Sequence, residues 1–131
     1  MVANDSMTLA IVDDDDDVRM ALFRLLRAIG HEVRVFTSAE DFEAETVPVD
    51  CAIIDVRLPG LSGLELRERL RNRRSPVPVV LITGDGDRLA RDNASAIGTP
   101  LVTKPFDALV LTAAIAQALS TTADERERHA R

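Results

Sequence analysis

Tryptophan and tyrosine are absent from this chain of 131 residues, and phenylalanine occurs four times, so intrinsic fluorescence is a poor probe of it. Cysteine is nearly absent. Cys51 stands alone, which excludes an internal disulfide and agrees with a reducing compartment. The two histidines, His31 and His129, are far apart and neither lies near Cys51, so no zinc-type ligand spacing exists. Apolar runs are short, none approaching the roughly 18 residues that a helical membrane span requires. Met1 to Ser6 lacks the basic and apolar regions of a signal peptide, so a cytoplasmic chain with no membrane partner is expected. An excess of positive charge is missing as well. The formal net charge of −6 argues against direct binding of nucleic acid.

What is present is ordinary for a globular protein: 46% hydrophobic and 29% charged residues, at a length that fits one domain with a real core. Charge is unevenly placed. Asp13 to Asp17 form an acidic run, in which Asp15, Asp16 and Asp17 read as helix-start residues, where negative charge is favourable. Arg67, Arg69, Arg71, Arg73 and Arg74 cluster later and read as the solvated face of one helix.

Strand-like and helix-like segments alternate from end to end. Leu9 to Val12 reads as a buried strand. Val18, Ala21, Leu22, Leu25, Leu26 and Ile29 recur at helical spacing, and Gly30 falls where a C-cap would. Val33 and Val35 suggest a second strand, and Ser38 with Asp41 a capped short helix. Cys51 to Ile54 is a third apolar run that stops abruptly at Asp55, followed by the turn-rich Leu58-Pro59-Gly60-Leu61-Ser62-Gly63. Leu64, Leu66 and Leu70 lie on the arginine-rich helix, closed by Ser75-Pro76. Val77 to Ile82 gives a fourth strand, about Asp87 to Ile97 a weaker helix ending at Gly98, and Leu101-Val102 a minimal fifth strand. Leu109, Ala113, Ile115, Ala116 and Leu119 suggest a last helix begun near Asp107, and Thr121 to Arg131 a charged tail without assigned structure. Five strand–helix units imply one parallel sheet with helices on both faces, and ligands of such sheets bind beyond the carboxyl ends of the strands.

Polar groups stand at those ends: Asp13 and Asp14, Asp55, Thr83 and Lys104. Taken singly, each marks only where a strand becomes a loop. Asp55 resists that reading, because it terminates a run that should be buried on both faces. Convergent carboxylates repel and raise one another's pKa, a cost that a hard divalent cation such as Mg²⁺ removes. A phosphoryl group adds about −1.5 to −2 charge and needs the metal and a nearby cation. Lys104 can supply that cation and Thr83 a hydroxyl hydrogen bond, so the set reads as an aspartate acting as nucleophile toward phosphorus.

Ile11-Val12-Asp13-Asp14, Asp55-Val56-Arg57-Leu58-Pro59-Gly60-Leu61-Ser62-Gly63, Leu81-Ile82-Thr83-Gly84 and Lys104-Pro105-Phe106 resemble, in order, the motifs of two-component receiver domains. The resemblance runs from Leu9 to Leu119 and is strongest to the nitrogen-fixation-regulator type. It implies a flavodoxin-like (βα)5 fold with strand order 2-1-3-4-5, spanning residues 8–120. Residues 1–7 would form an N-terminal arm, and 121–131 a charged tail or the start of a linker. It implies that Asp55 takes a phosphoryl group from a sensor histidine kinase, and that the domain is no turnover enzyme beyond its own phosphorylation and dephosphorylation. Asp14, Asp55 and the Arg57 carbonyl would hold Mg²⁺, with Asp13 helping through water. Lys104 would pair with a phosphoryl oxygen. Thr83 would move inward, biasing the face of the fourth helix, fifth strand and fifth helix, through which members commonly dimerise or control an output domain or partner. The Lys104–Pro105 bond would be cis, giving Pro105 a structural role.

Two departures stand out. Leu101 occupies the place of the usual switch aromatic, and the segment Gly98 to Lys104 is one residue short. Either Leu101 is ordinary core beside a local deletion, or the switch itself is altered. The resemblance also implies that Arg57 and Asp85, two residues after Asp55 and Thr83, tune hydrolysis of the acyl phosphate. Either they pair across the site mouth and hinder water, or they are two exposed charges that rarely meet. Haloacid-dehalogenase-type phosphatases share much of this residue set, but their acid/base aspartate would fall at Arg57, which cannot exchange a proton near neutrality. A phosphorylation-independent pseudo-receiver, acting as a binding module, is the other alternative.

Overall fold

A computed structural model describes residues 6–45, 48–84 and 87–129. Five strands, β1 (Thr8–Val12), β2 (Glu32–Phe36), β3 (Cys51–Asp55), β4 (Val79–Thr83) and β5 (Leu101–Thr103), alternate with five helices, α1 (Asp16–Ile29), α2 (Ala39–Ala44), α3 (Gly63–Arg71), α4 (Arg88–Ile97) and α5 (Ala108–His129). All strand pairs are parallel, in the order β2-β1-β3-β4-β5. This is the flavodoxin-like architecture expected from the sequence. The chain crosses from one side of β1 to the other between β2 and β3, so the switch point lies at the ends of β1 and β3.

Strand periodicity divides the core in two. Ala10, Val12, Ala52, Ile54 and Leu81 face α2, α3 and α4 through Phe42, Leu66, Leu70, Ala90 and Ala94. Their neighbours Leu9, Ile11, Cys51, Ile53, Val80 and Ile82 face α1 and α5 through Leu22, Leu26, Leu111 and Ile115. Each fully buried Leu or Ile contributes about 1.5–3 kcal/mol. The central strands β3 and β4 are buried along their whole length, which rigidly fixes the residues at their ends.

Local capping follows the sequence closely. Asp15 caps α1, its Oδ1 accepting from the Asp17 and Val18 amides, and Gly30 closes that helix at φ 114°. Ser38 caps α2, and Ser62 with Glu65 forms a reciprocal capping box on α3. Gly98 closes α4, and the Val110 amide donates to Asp107 at the start of α5.

Some expectations need correction. Helix α3 ends at Arg71, short of Ser75-Pro76, and β4 begins at Val79 rather than Val77, because Pro76 and Pro78 interrupt regular structure between them. Ala21 and Ile29 on α1 are exposed, leaving Leu22 and Leu26 as its buried residues. On α5 the inward face is Leu111, Ala114, Ile115 and Ala118, whereas Leu109, Ala113 and Ala116 face outward. The tail is also helical as far as residue 129. Arg126 donates to the Pro76 carbonyl and Glu125 lies 3.9 Å from Arg71 Nε, so tertiary partners extend α5. Arg67 departs from its cluster too. It is buried, donating to the Ile97 carbonyl and to Glu68, while Arg69, Arg71, Arg73 and Arg74 are exposed. Among the described residues, no helix is long and apolar enough to cross a membrane.

Candidate functional site

Asp13 and Asp14 follow β1 directly. The Asp13 amide donates to Phe36 O at 3.1 Å, continuing the ladder to β2, and its Oδ1 accepts from the Asp15 amide at 2.9 Å. Arg19 Nη1 donates to the Asp13 carbonyl at 2.9 Å, so the first turn of α1 fixes the backbone of this aspartate. The Asp13 side chain is fully buried, while Asp14 is exposed.

Asp55 closes β3 and is 6% exposed. Its Oδ1 accepts the Arg57 amide at 2.9 Å, which leaves Oδ2 facing Lys104 Nζ at 3.4 Å. The same Nζ is 3.9 Å from Asp13 Oδ2, a buried oxygen that accepts no hydrogen bond. Burial pushes the Asp13 carboxyl up to about 6, with the charge of Asp55 adding to the effect and Lys104 opposing it. One oxygen from each of Asp13, Asp14 and Asp55 lies within 4.8 Å of the others.

That donor set suits a hard divalent cation. Three carboxylate oxygens converge, Asp13 also carries a buried oxygen that accepts no hydrogen bond, and the Asp14 side is open to solvent for waters.

The loop after β3 is held tightly. A Cβ on Gly63 would sit 2.0 Å from the Asp55 carbonyl oxygen, so only glycine lets the start of α3 approach the end of β3. Gly60 takes φ 76°, and Glu40 Oε2 on α2 accepts the Leu61 amide at 3.0 Å, pinning the turn.

Thr83 closes β4 and is buried. Its hydroxyl donates to Asp87 Oδ2 at 3.1 Å, and its carbonyl accepts the Lys104 amide at 2.9 Å. The Lys104–Pro105 bond is cis. Leu101 pairs with Leu81 and is half-buried against the core on the α4 side, the position of an ordinary packing residue.

The sequence-predicted carboxylates and Lys104 therefore come together at one rim, with Thr83 beside them on β4. Asp85 lies outside the described residues. The Arg57 side chain makes an ion pair with Asp87, its Nε 2.8 Å from Oδ2. Asp87 is the residue that sequence reasoning missed, having served only to mark where α4 begins. It caps that helix through Oδ1, which accepts the Ala90 amide. Hydrogen bonds from Arg57, then from Ala90 and Thr83, hold its carboxyl down at about 2.

Comparison with known proteins agrees with this geometry. Residues 9–116 match the sequence model of the response regulator receiver domain. The transcriptional regulatory protein FixJ of Azorhizobium caulinodans is 38% identical over 131 residues, covering 97% of this chain and 62% of the relative. Nodulation protein W of Bradyrhizobium diazoefficiens is 37% identical over 124 residues, covering 92% of this chain and 53% of the relative. This chain thus spans between about half and two thirds of those curated relatives. A solved response regulator receiver protein from Burkholderia phymatum superposes with a TM-score of 0.73 at 34% identity, covering 86% of this chain and 94% of that one.

Proposed function

Because this chain belongs to the response regulator receiver family, whose members serve two-component signalling, we propose that Asp55 accepts a phosphoryl group from a phosphohistidine on a sensor kinase. The observation that carries the proposal is the setting of Asp55: a strand-end carboxylate, nearly buried, with Lys104 Nζ 3.4 Å from Oδ2 and with Asp13, whose buried Oδ2 accepts no hydrogen bond, beside it.

In the transfer, an Asp55 oxygen forms the new bond to phosphorus as the bond from phosphorus to the kinase imidazole breaks, and the imidazole leaves. The Arg57 amide holds Oδ1 and so fixes the plane of the carboxylate. Lys104 is placed to neutralise a phosphoryl oxygen. Asp14, Asp55 and the Arg57 carbonyl would hold Mg²⁺, with Asp13 contributing through water, and the ion would supply positive charge against the developing charge on phosphorus. Buried Thr83 supplies the hydroxyl that reports the new group to α4 and β5, and through them to an output domain or downstream partner.

The intact set of Asp14, Asp55, Thr83 and Lys104 favours this over a phosphorylation-independent binding module. Arg57, in place of an acid/base aspartate, disfavours phosphatase turnover. The test is intact-protein mass after incubation with acetyl phosphate or phosphoramidate. A single phosphoryl adduct that needs Mg²⁺ and is lost in Asp55→Asn is expected. No adduct with either donor would leave the binding-module reading in its place.

A further inference from the structure

We propose that Asp87 is a positioning residue that holds Thr83 in the resting arrangement, so that a phosphoryl group on Asp55 must compete with the Asp87 carboxylate for one hydroxyl hydrogen. The proposal rests on the reading of Asp55 as phosphoacceptor. A threonine hydroxyl has a single hydrogen to donate. Here it goes to Asp87 Oδ2 at 3.1 Å. The same oxygen receives Arg57 Nε at 2.8 Å, and Oδ1 receives the Ala90 amide at 3.1 Å.

These contacts close a loop around the site. The Arg57 amide is bonded to Asp55 Oδ1, its guanidinium to Asp87, and Asp87 to the Thr83 hydroxyl. The ends of β3 and β4 and the start of α4 are therefore tied by two residues, Arg57 and Asp87. The Arg57 side chain is 70% exposed whereas that of Asp87 is 9% exposed, so the ion pair alone is screened and weak. Its role is to keep the Asp87 carboxylate turned toward Thr83. When the hydroxyl turns to a phosphoryl oxygen, Asp87 keeps Ala90 and Arg57, and α4 stays capped. Only the tie from Thr83 to Asp87 is released, so the change to α4 begins at its N-cap residue.

Asp87→Asn isolates this role. Asparagine caps a helix as well as aspartate does, but its amide nitrogen, set where Oδ2 stands, cannot accept from Thr83 or Arg57. Asp87→Ser also keeps a capping oxygen and is too short to reach Thr83, and circular dichroism identifies which variants are folded. The readout is the affinity for beryllofluoride, a phosphoryl mimic, in saturating Mg²⁺, measured by calorimetry. Both variants should bind it roughly two- to tenfold more tightly than the wild type, the worth of one released hydrogen bond. Mg²⁺ affinity without beryllofluoride should stay the same, and in a Thr83→Val background Asp87→Asn should have no effect. Unchanged or weaker binding in folded variants would overturn the proposal. So would tightening that persists without the Thr83 hydroxyl. If the wild type itself bound no beryllofluoride, the reading of Asp55 would fail first and take this one with it.

Discussion

Replacing Asp13 by asparagine should stabilise the metal-free protein, and increasingly so as pH rises from about 4 to about 7. Burial raises the folded-state carboxyl to about 6 from an ordinary 3.8. Below pH 3.8 the group is protonated in both folded and unfolded chains and adds no penalty. As pH climbs through the window, the unfolded chain ionises freely while the folded one resists, so wild-type stability is progressively lost. A gap of about two pKa units corresponds to about 3 kcal/mol at the plateau. That gap is already net of the attraction of Lys104 Nζ at 3.9 Å, and part of the gain is returned because the asparagine amide nitrogen is a buried donor in place of an oxygen. The side-chain oxygen of the introduced asparagine can still accept the Asp15 amide, as Oδ1 does now. A net gain of about 1–3 kcal/mol at pH 7.5 is expected, or roughly 4–12 °C in melting temperature for a domain of this size. The assay is thermal and urea unfolding by circular dichroism in chelator, at pH values from about 4 to about 7.5. Mg²⁺ at ten times its dissociation constant should add about 1.4 kcal/mol to the wild type and less to the variant. Asp87, held down at about 2, contributes stability that is present above its unfolded value and lost only as pH falls toward 2, outside this window. A variant that is less stable than wild type in chelator at about pH 7.5, or a difference that stays flat between about pH 4 and 7, would refute the reasoning.

Gly63→Ala should destabilise the fold by about 1–3 kcal/mol, because a Cβ 2.0 Å from Asp55 O forces α3 or β3 to move, and should lower adduct formation as well; an unshifted urea midpoint would contradict this. Ser62→Ala removes the capping box of α3 and should cost about 1 kcal/mol by urea denaturation while Mg²⁺ affinity stays the same. Burial pushes the Cys51 thiol up to about 12, so a maleimide at about pH 8 should label it only after unfolding. Leu101, half-buried beside Leu81, should keep one side-chain rotamer with and without beryllofluoride; two state-dependent rotamers by methyl resonance would show that it switches as an aromatic does.

The rim of the site was legible because each of its residues stands at or just past the end of an apolar strand run. Asp13, Asp55, Thr83 and Lys104 needed only the strand assignments and a parallel sheet to converge. What remained hidden depended on contacts between segments distant in sequence. Arg67 looks like its neighbours on a charged helix, and only the approach of the Ile97 carbonyl explains its burial. From Ala108 to Leu119 nearly every residue is apolar, so periodicity could not choose between Leu109, which is 82% exposed, and Leu111, which is fully buried. The charged segment beyond Thr121 has no apolar stripe to announce a helix, and it extends α5 where Arg71 and Pro76 offer partners. Asp87 carried one signal, an aspartate at a helix start, and its second role appears only when Arg57 is brought beside it from thirty residues away.

The assignment of the phosphoryl group to Asp55 rests on the geometry of the rim. It is tested most directly by trapping the adduct with borohydride, which reduces an aspartyl phosphate to homoserine, and sequencing the peptides by mass spectrometry. Homoserine at position 55, formed only after treatment with the phosphoryl donor and Mg²⁺, is the predicted result. Homoserine at Asp13 or Asp14 instead, or at no position in a chain that has gained phosphoryl mass, would contradict the account.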